Sequence, residues 1–355
     1  MARATALRGL VGIAAAGGRR VRSCGQRWDA GWRGFRAGPS GGRAAAAGPR
    51  RSSPSRSSAA SAARQAGSLR GVAAAAGRKG WVSGGFESED GKVTCGYSSY
   101  IGRRPTMEDC YAIKLTKVDG QPVNLFGVFD GHGGNLAAEY LKDNLFQNLM
   151  KQPDFLTDTK LAISRTFLET DGDILETISS SFRDDGSTAL AAVLIGKRLY
   201  VANVGDSRAV ASKASKGKVA ARKKRPKPVP LSKDHKPNRK DERKRIEDAG
   251  GVVIWDDTWR VGGILAMSRA FGNRMLKEYV IAEPDIQEED VNSDLEYLIL
   301  ATDGLWDVVR NEDAVALLKA EDGPQAAAVK LTEIAYSRHS ADNITCVVVQ
   351  FHHNK

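Results

Sequence analysis

Two apolar runs in this chain each deliver an aspartate into a tight turn. Leu125 to Phe129 leads into Asp130-Gly131-His132-Gly133-Gly134, and Glu296 to Ala301 leads to Asp303. A third acid, Asp342, stands just before the last apolar run, Ile344 to Phe351, and Glu108 and Asp109 sit between the first two strand-like stretches. Carboxylates held rigidly at strand ends suit hard cations such as Mg²⁺ or Mn²⁺. Gly131, Gly133 and Gly134 let backbone approach a ligand closely. Carboxylates crowded at one sheet edge repel each other unless cations occupy the space. Two divalent ions about 3.5–4 Å apart, bridged by one carboxylate, resolve that conflict and acidify a water between them for in-line attack on phosphorus. Phosphate-monoester hydrolysis is slow enough uncatalysed to need such assistance. His132 is the one histidine of five inside this constellation. It is placed either to protonate a leaving alkoxide or only to order the turn. Arg104 either grips two phosphate oxygens in a bidentate fork or is a surface arginine beside Arg103, and spacing does not choose.

The elements that must position these residues follow from pattern. Val93 to Ile101, Tyr111 to Val118 and Val123 to Phe129 read as strands, with Asp119-Gly120 as a hairpin turn. Helices are expected at about 134–150 and 158–179, with Leu161, Phe167, Leu168, Ile174, Leu175 and Ile178 of the second falling mostly on one face. Ser187 to Ile195, Arg198 to Val204 and Arg208 to Ser212 form a meander. A basic insertion at about 213–227 follows, containing Arg222-Lys223-Lys224-Arg225. It reads as a solvated loop, or else as a nuclear-import or docking patch. Lys240 to Ala249 is a helix closed by Gly250-Gly251, Val252 to Trp255 a strand, and Val261 to Phe271 an apolar turn and short helix. Asn311 to Lys319 and Pro324 to Ser337 are helices. Strands that arrive as antiparallel meanders, with helices in pairs, favour layered sheets over a doubly wound parallel sheet.

The net charge of +11 over 355 residues is unevenly placed. Residues 1–85 hold sixteen of the 53 Lys/Arg but only one, Asp29, of the 42 acids, which leaves 37 bases against 41 acids in the rest. The remainder is slightly acidic, so specific nucleic-acid binding by it is not expected. The first 85 residues, rich in Ala, Arg and Ser, are expected to be a disordered tail or an organellar transit peptide. That places the protein in a plastid or mitochondrion if the tail is an address, and otherwise in the nucleus or cytosol. No apolar run reaches the ~18 residues of a membrane span. Cys24, Cys95, Cys110 and Cys346 lack metal-binding or disulfide-framework spacing. Residues 86–355 are expected to be one domain. Nucleotide-binding GxxxxGK[ST], esterase GxSxG and zincin HExxH motifs are absent from the sequence.

Nine segments in fixed order resemble the metal-dependent type 2C serine/threonine protein phosphatases, most closely plant members. They are Arg104 to Asp109 (RPTMED), Phe129 to Gly134 (FDGHGG), Gly186 to Ala189 (GSTA), Val204 to Arg208 (VGDSR), Asp234 to Pro237 (DHKP), Asp241 to Gly251 (DERKRIEDAGG), Arg260 to Gly272 (RVGGILAMSRAFG), Thr302 to Val308 (TDGLWDV) and Ser340 to Thr345 (SADNIT). The resemblance implies an α+β fold, a four-layer α-β-β-α sandwich with two central, mostly antiparallel sheets. It implies two Mg²⁺ or Mn²⁺ ions, with Asp130 bridging, Gly131 giving its carbonyl, Asp303 and Asp342 direct ligands, and Glu108 acting largely through water. Asp206 and Asp307 match positions tied to a weaker third metal, Arg104 the phosphate-binding arginine and His132 the general acid. The implied activity is hydrolysis of phosphoserine and phosphothreonine in protein substrates, by a monomer.

The sequence departs from the pattern at the basic insertion, upstream of the segment that forms the family's flap, and at Asn273, where many relatives carry Asp. Asp256 falls where hormone-receptor-regulated plant members carry a flap tryptophan, so that regulation is not expected. Two rivals remain. One is a catalytically weak or inactive adaptor keeping only the fold, and the other is a metal-dependent nuclease using the basic tail.

Overall fold

The computed structural model describes residues 80–179, 183–214 and 226–353. The expected tail, up to residue 79, and residues 215–225 of the basic insertion lie outside them.

Two antiparallel sheets face each other. One has the order β1-β2-β16-β15-β9-β10, with β1 Trp81–Glu87, β2 Val93–Tyr100, β9 Arg208–Lys213, β10 Lys227–Pro230, β15 Leu295–Ala301 and β16 Ile344–Phe351. The other has the order β14-β8-β7-β4-β3, with β3 Cys110–Val118, β4 Gln121–Phe129, β7 Ala189–Ile195, β8 Arg198–Val204 and β14 Asp285–Asp290. Helices α1 (Leu136–Lys151) and α2 (Thr159–Ser179) cover the five-stranded sheet, and α5 (Asn311–Leu318) and α6 (Gly323–Ser337) cover the six-stranded one. The result is the expected α-β-β-α sandwich. No helix among the described residues is long and apolar enough to cross a membrane.

The period-two pattern of each central strand explains the layers. Along β4, Val123, Leu125 and Phe129 face the helices, while Phe126 and Val128 face the opposite sheet. β16 does the same, with Cys346 and Val348 under α6 and Val347, Val349 and Phe351 between the sheets. A strand buried on both faces reads as a continuous apolar run. Each fully buried large side chain contributes about 1.5–3 kcal/mol.

Short elements complete the fold. The two-residue strands β5 (Gly131–His132), β6 (Gly186–Ser187) and β13 (Phe271–Gly272) form a patch. Helix α3 (Lys240–Asp248) packs beside the hairpin of β11 (Val253–Asp256) and β12 (Thr258–Val261) over a separate small core. Helix α3 ends as expected, with Gly250 at φ +88° and the Gly251 amide donating to the Ile246 carbonyl at 2.9 Å. A short helix α4 (Asp303–Trp306) follows β15.

Three local expectations change. A strand, β1, precedes the expected first strand at Val93 and begins inside the expected tail: Gly84 and Gly85 disguise it, because the Tyr97 ring fills the space where a Gly84 side chain would stand. No helix forms over 261–271. Gly262 and Gly263 take φ of +61° and +73°, and a single 3₁₀ turn comes later, at Arg274–Leu276. On α2 the inner face is carried by Ala162, Ile163, Phe167, Ile174 and Ile178, whereas Leu161 and Leu168 are exposed.

Candidate metal centre

The acids come from both sheets at one end of the sandwich. Asp130 ends β4 and is fixed from both sides by Thr188. The Thr188 amide donates to the Asp130 carbonyl at 2.9 Å, and the Asp130 amide donates to the Thr188 hydroxyl at 3.0 Å. Asp303 and Asp342 come from the other sheet, after β15 and before β16. Asn343 ties their turn to the loop carrying Glu108. Its amide nitrogen donates to the carbonyls of Ile101 and Thr106, and its amide oxygen accepts from the Glu108 N–H at 2.8 Å. Glycine is required beside these acids. A side chain on Gly304 would collide with the Asn343 carbonyl, and one on Gly131 with the Glu108 carbonyl.

Electrostatics show how closely the acids gather. Burial first, and then the charges of Asp109, Asp303, Asp206 and Asp342, hold the Asp130 carboxyl well above the usual carboxylate range. Asp303 is likewise raised, by burial and then by Asp206 and Asp307. Asp307 is raised by burial, with the Lys236 charge opposing. Burial pushes Asp109 up to about 7 in spite of hydroxyl donors from Thr345 and Thr302. Removing like-charge repulsion in so dry a place takes protons or cations.

The cationic partners are specific. The Arg104 guanidinium donates to Asp342 Oδ2 at 2.6 Å. Lys236 Nζ donates to Asp206 Oδ2 at 2.5 Å, while Asp206 Oδ1 is buried with no hydrogen-bond partner. Burial alone would lower the Lys236 pKa, but Asp206 raises it above the usual lysine range. Glu108 accepts from the Thr106 hydroxyl at 3.0 Å and from the Gly134 amide at 3.1 Å. His132 hydrogen-bonds Asn273 Oδ1 through Nε2 at 2.8 Å, and its Nδ1 is buried and unpartnered. Burial holds its pKa below the usual imidazole range, against the Asn273 hydrogen bond, which favours the charged ring.

The structure thus gathers Asp130, Gly131, Asp303, Asp342, Glu108, Asp206 and Asp307, reaches Arg104 through Asp342, and holds half-buried His132 against Asn273. Four supporting residues escaped sequence reasoning: Thr188, Asn343, Lys236 and Asn273. Asn273, which in sequence is only a departure from the family pattern, holds the histidine. Its signal was its place straight after Phe271-Gly272; the others are ordinary polar residues whose partners are distant in sequence. Among the described residues, no three His, Cys, Asp or Glu side chains are already drawn into a metal-ligating arrangement. Asp342 and Asp206 are instead paired with Arg104 and Lys236. The donor set nevertheless fits a hard cation. It is all oxygen, mutually repulsive, and includes the orphaned Asp206 Oδ1.

The family model for protein phosphatase 2C matches residues 94–344. The chain is 60% identical over 365 residues to the probable protein phosphatase 2C 56 of Oryza sativa subsp. japonica, covering 100% of this chain and 99% of that one. It is 69% identical over 279 residues to the rice probable protein phosphatase 2C member 13, mitochondrial, covering 79% and 74%. Among solved structures, a serine-threonine phosphatase 2C from Toxoplasma gondii superposes with a TM-score of 0.65 at 26% identity, covering 74% of this chain and 95% of that one. A C. elegans sex determining protein shares the fold at a TM-score of 0.65 and 23% identity, covering 73% and 65%. A family model that matches residues 94–344, together with a relative 60% identical over the whole chain, makes this chain a member of the protein phosphatase 2C family, the Mg²⁺- or Mn²⁺-dependent phosphatases that remove phosphate from serine and threonine in phosphoproteins.

Proposed function

We propose that this phosphatase works through a two-cation carboxylate centre. Asp130, the Gly131 carbonyl, Asp303 and Asp342 would hold the two ions, and Glu108 would reach them through water. Asp206 and Asp307 hold a weaker third ion. When bound, the cations supply an acidified water and positive charge against the phosphoryl oxygens. Arg104, half-exposed at the rim, leaves Asp342 to grip two phosphoryl oxygens and orient the group. His132 protonates the departing serine or threonine oxygen, and Asn273 keeps its ring in place. The observation that carries this reading is the crowding of Asp130 by four other buried or half-buried carboxylates. An acid at each matched position supports catalysis over the adaptor reading.

The test is phosphate release from a phosphothreonine peptide by residues 80–355 with Mn²⁺, with Mg²⁺ and with EDTA, alongside Asp303→Asn. Release that needs metal and falls at least about a hundredfold in the variant supports the centre. Undiminished release by folded Asp303→Asn would sink it. We also propose that residues 1–85 address the chain to an organelle. Their arginine-rich, acid-poor composition supports this, as does the mitochondrial name of a rice relative.

A further inference from the structure

At the end of the sandwich away from Asp130, the two sheets part around a cavity of about 730 Å³. Its walls are apolar at Leu194, one residue short of the end of β7, and at Phe351, which ends β16. Its rim carries Lys92, Lys197 and His353, and Asp90 is the single acid lining it among the described residues. Asp90 is already engaged, with Lys92 at 3.4 Å and with the Ser88 hydroxyl at 2.7 Å. Lys197 makes no ion pair among the described residues and projects from the exposed β7–β8 turn.

Asn124 also lines this cavity. It sits on β4 in register with Leu115 and Leu194, at the inter-sheet position that Phe126 and Val128 repeat farther along. Only 7% of Asn124 is exposed, and its amide makes no side-chain hydrogen bond among the described residues. An aliphatic residue would seal the layer here. The Asn124 amide instead opens on the cavity and offers two donors and an acceptor to whatever fills it.

We propose that this cavity is a binding site for a small amphipathic organic anion. Its apolar or aromatic body lies against Leu194 and Phe351, a polar substituent meets the Asn124 amide, and its acid group sits between Lys197 and Lys92. The volume is that of a small-molecule site, apolar with a few placed polar groups. Asn124 and Asp130 are six residues apart on one strand, about 20 Å, so this ligand does not touch the phosphoryl site.

The test is a fluorescence titration of the full chain with anilinonaphthalenesulfonate, an aromatic anion. One saturable site with a Kd of about 10 µM or tighter is expected. Naphthalenesulfonate displaces the probe and neutral naphthol does not. Lys197→Glu, an exposed change, weakens binding roughly tenfold or more. Asn124→Leu weakens it as well, and leaves turnover of a phosphothreonine peptide unchanged. Absence of saturable binding, or affinity indifferent to both substitutions, overturns the proposal and leaves Asn124 merely solvated. Displacement by orthovanadate or a phosphopeptide also overturns it, because the probe then occupies the phosphoryl site.

Discussion

His132 and Asp303 separate two ways in which a residue of this site can matter. If His132 gives its proton to the leaving oxygen, the need for it depends on the leaving group. His132→Ala should slow release from a phosphothreonine peptide by about 10²–10⁴-fold. It should barely slow p-nitrophenyl phosphate, whose phenolate leaves unaided. Equal losses on both substrates would reduce the histidine to an organiser of its turn. Asp303 pulls against the fold it sits in, because its buried charge is opposed by Asp206 and Asp307. Without metal, Asp303→Asn should therefore match or exceed the wild type in thermal stability, by up to about 1–2 kcal/mol. With metal it should lose the rise in melting temperature that ligand binding confers. Asp130, Asp303 and Asp342 were legible in sequence because each ends or precedes an apolar run, whereas Asp206 and Asp307 were read only from the family resemblance. Asn273 was not, since its partner His132 is 141 residues away and a lone asparagine carries no pattern.

At the scale of elements, one acid on α3 draws two arginines together. Glu242 is almost wholly buried and accepts from Arg269 at 2.7 Å and Arg245 at 2.9 Å. Burial alone would raise its pKa, but these guanidiniums override burial and hold it at about 2. A depressed carboxylate stabilises the fold fully above its unfolded value, near 4.5, and that contribution is lost as pH falls toward 2. The shift corresponds to about 3 kcal/mol. Glu242→Gln should cost about that much at pH 7, measured by urea unfolding, and should flatten the acid limb of the stability curve. An unchanged acid limb would remove Glu242 from the account. Strands buried on both faces were readable from pattern, and so was the Gly250-Gly251 end of α3. Three of the four edge strands, β1, β10 and β14, were not, whereas the fourth, β3, was read as Tyr111 to Val118. Acid-rich β14 hides behind charges that protect a sheet edge, and β1 hides behind paired glycines with space for nothing larger.

At the scale of the whole molecule, the basic charge and the chemistry lie in different parts of the chain. Deleting residues 1–79 should leave phosphatase turnover within about twofold, because no site residue lies there. The nuclease reading requires the opposite, a loss of activity together with salt-sensitive DNA binding. Residues 1–85 fused to a fluorescent protein should accumulate in an organelle in plant cells. A diffuse signal would end the address proposal.

The acids that gather at one end of the sandwich belong to two sheets, Asp130 to one and Asp303 and Asp342 to the other. Elsewhere these sheets meet through apolar packing, which is not directional and resists sliding only weakly. Any ion that draws the three acids together therefore rivets the sheets at a single point. Such a rivet acts on the lifetime of the fold as well as on its chemistry. A chelator should speed amide exchange in β4 and β16 together and hasten cleavage by added protease, so the silenced enzyme would also be the one cleared sooner.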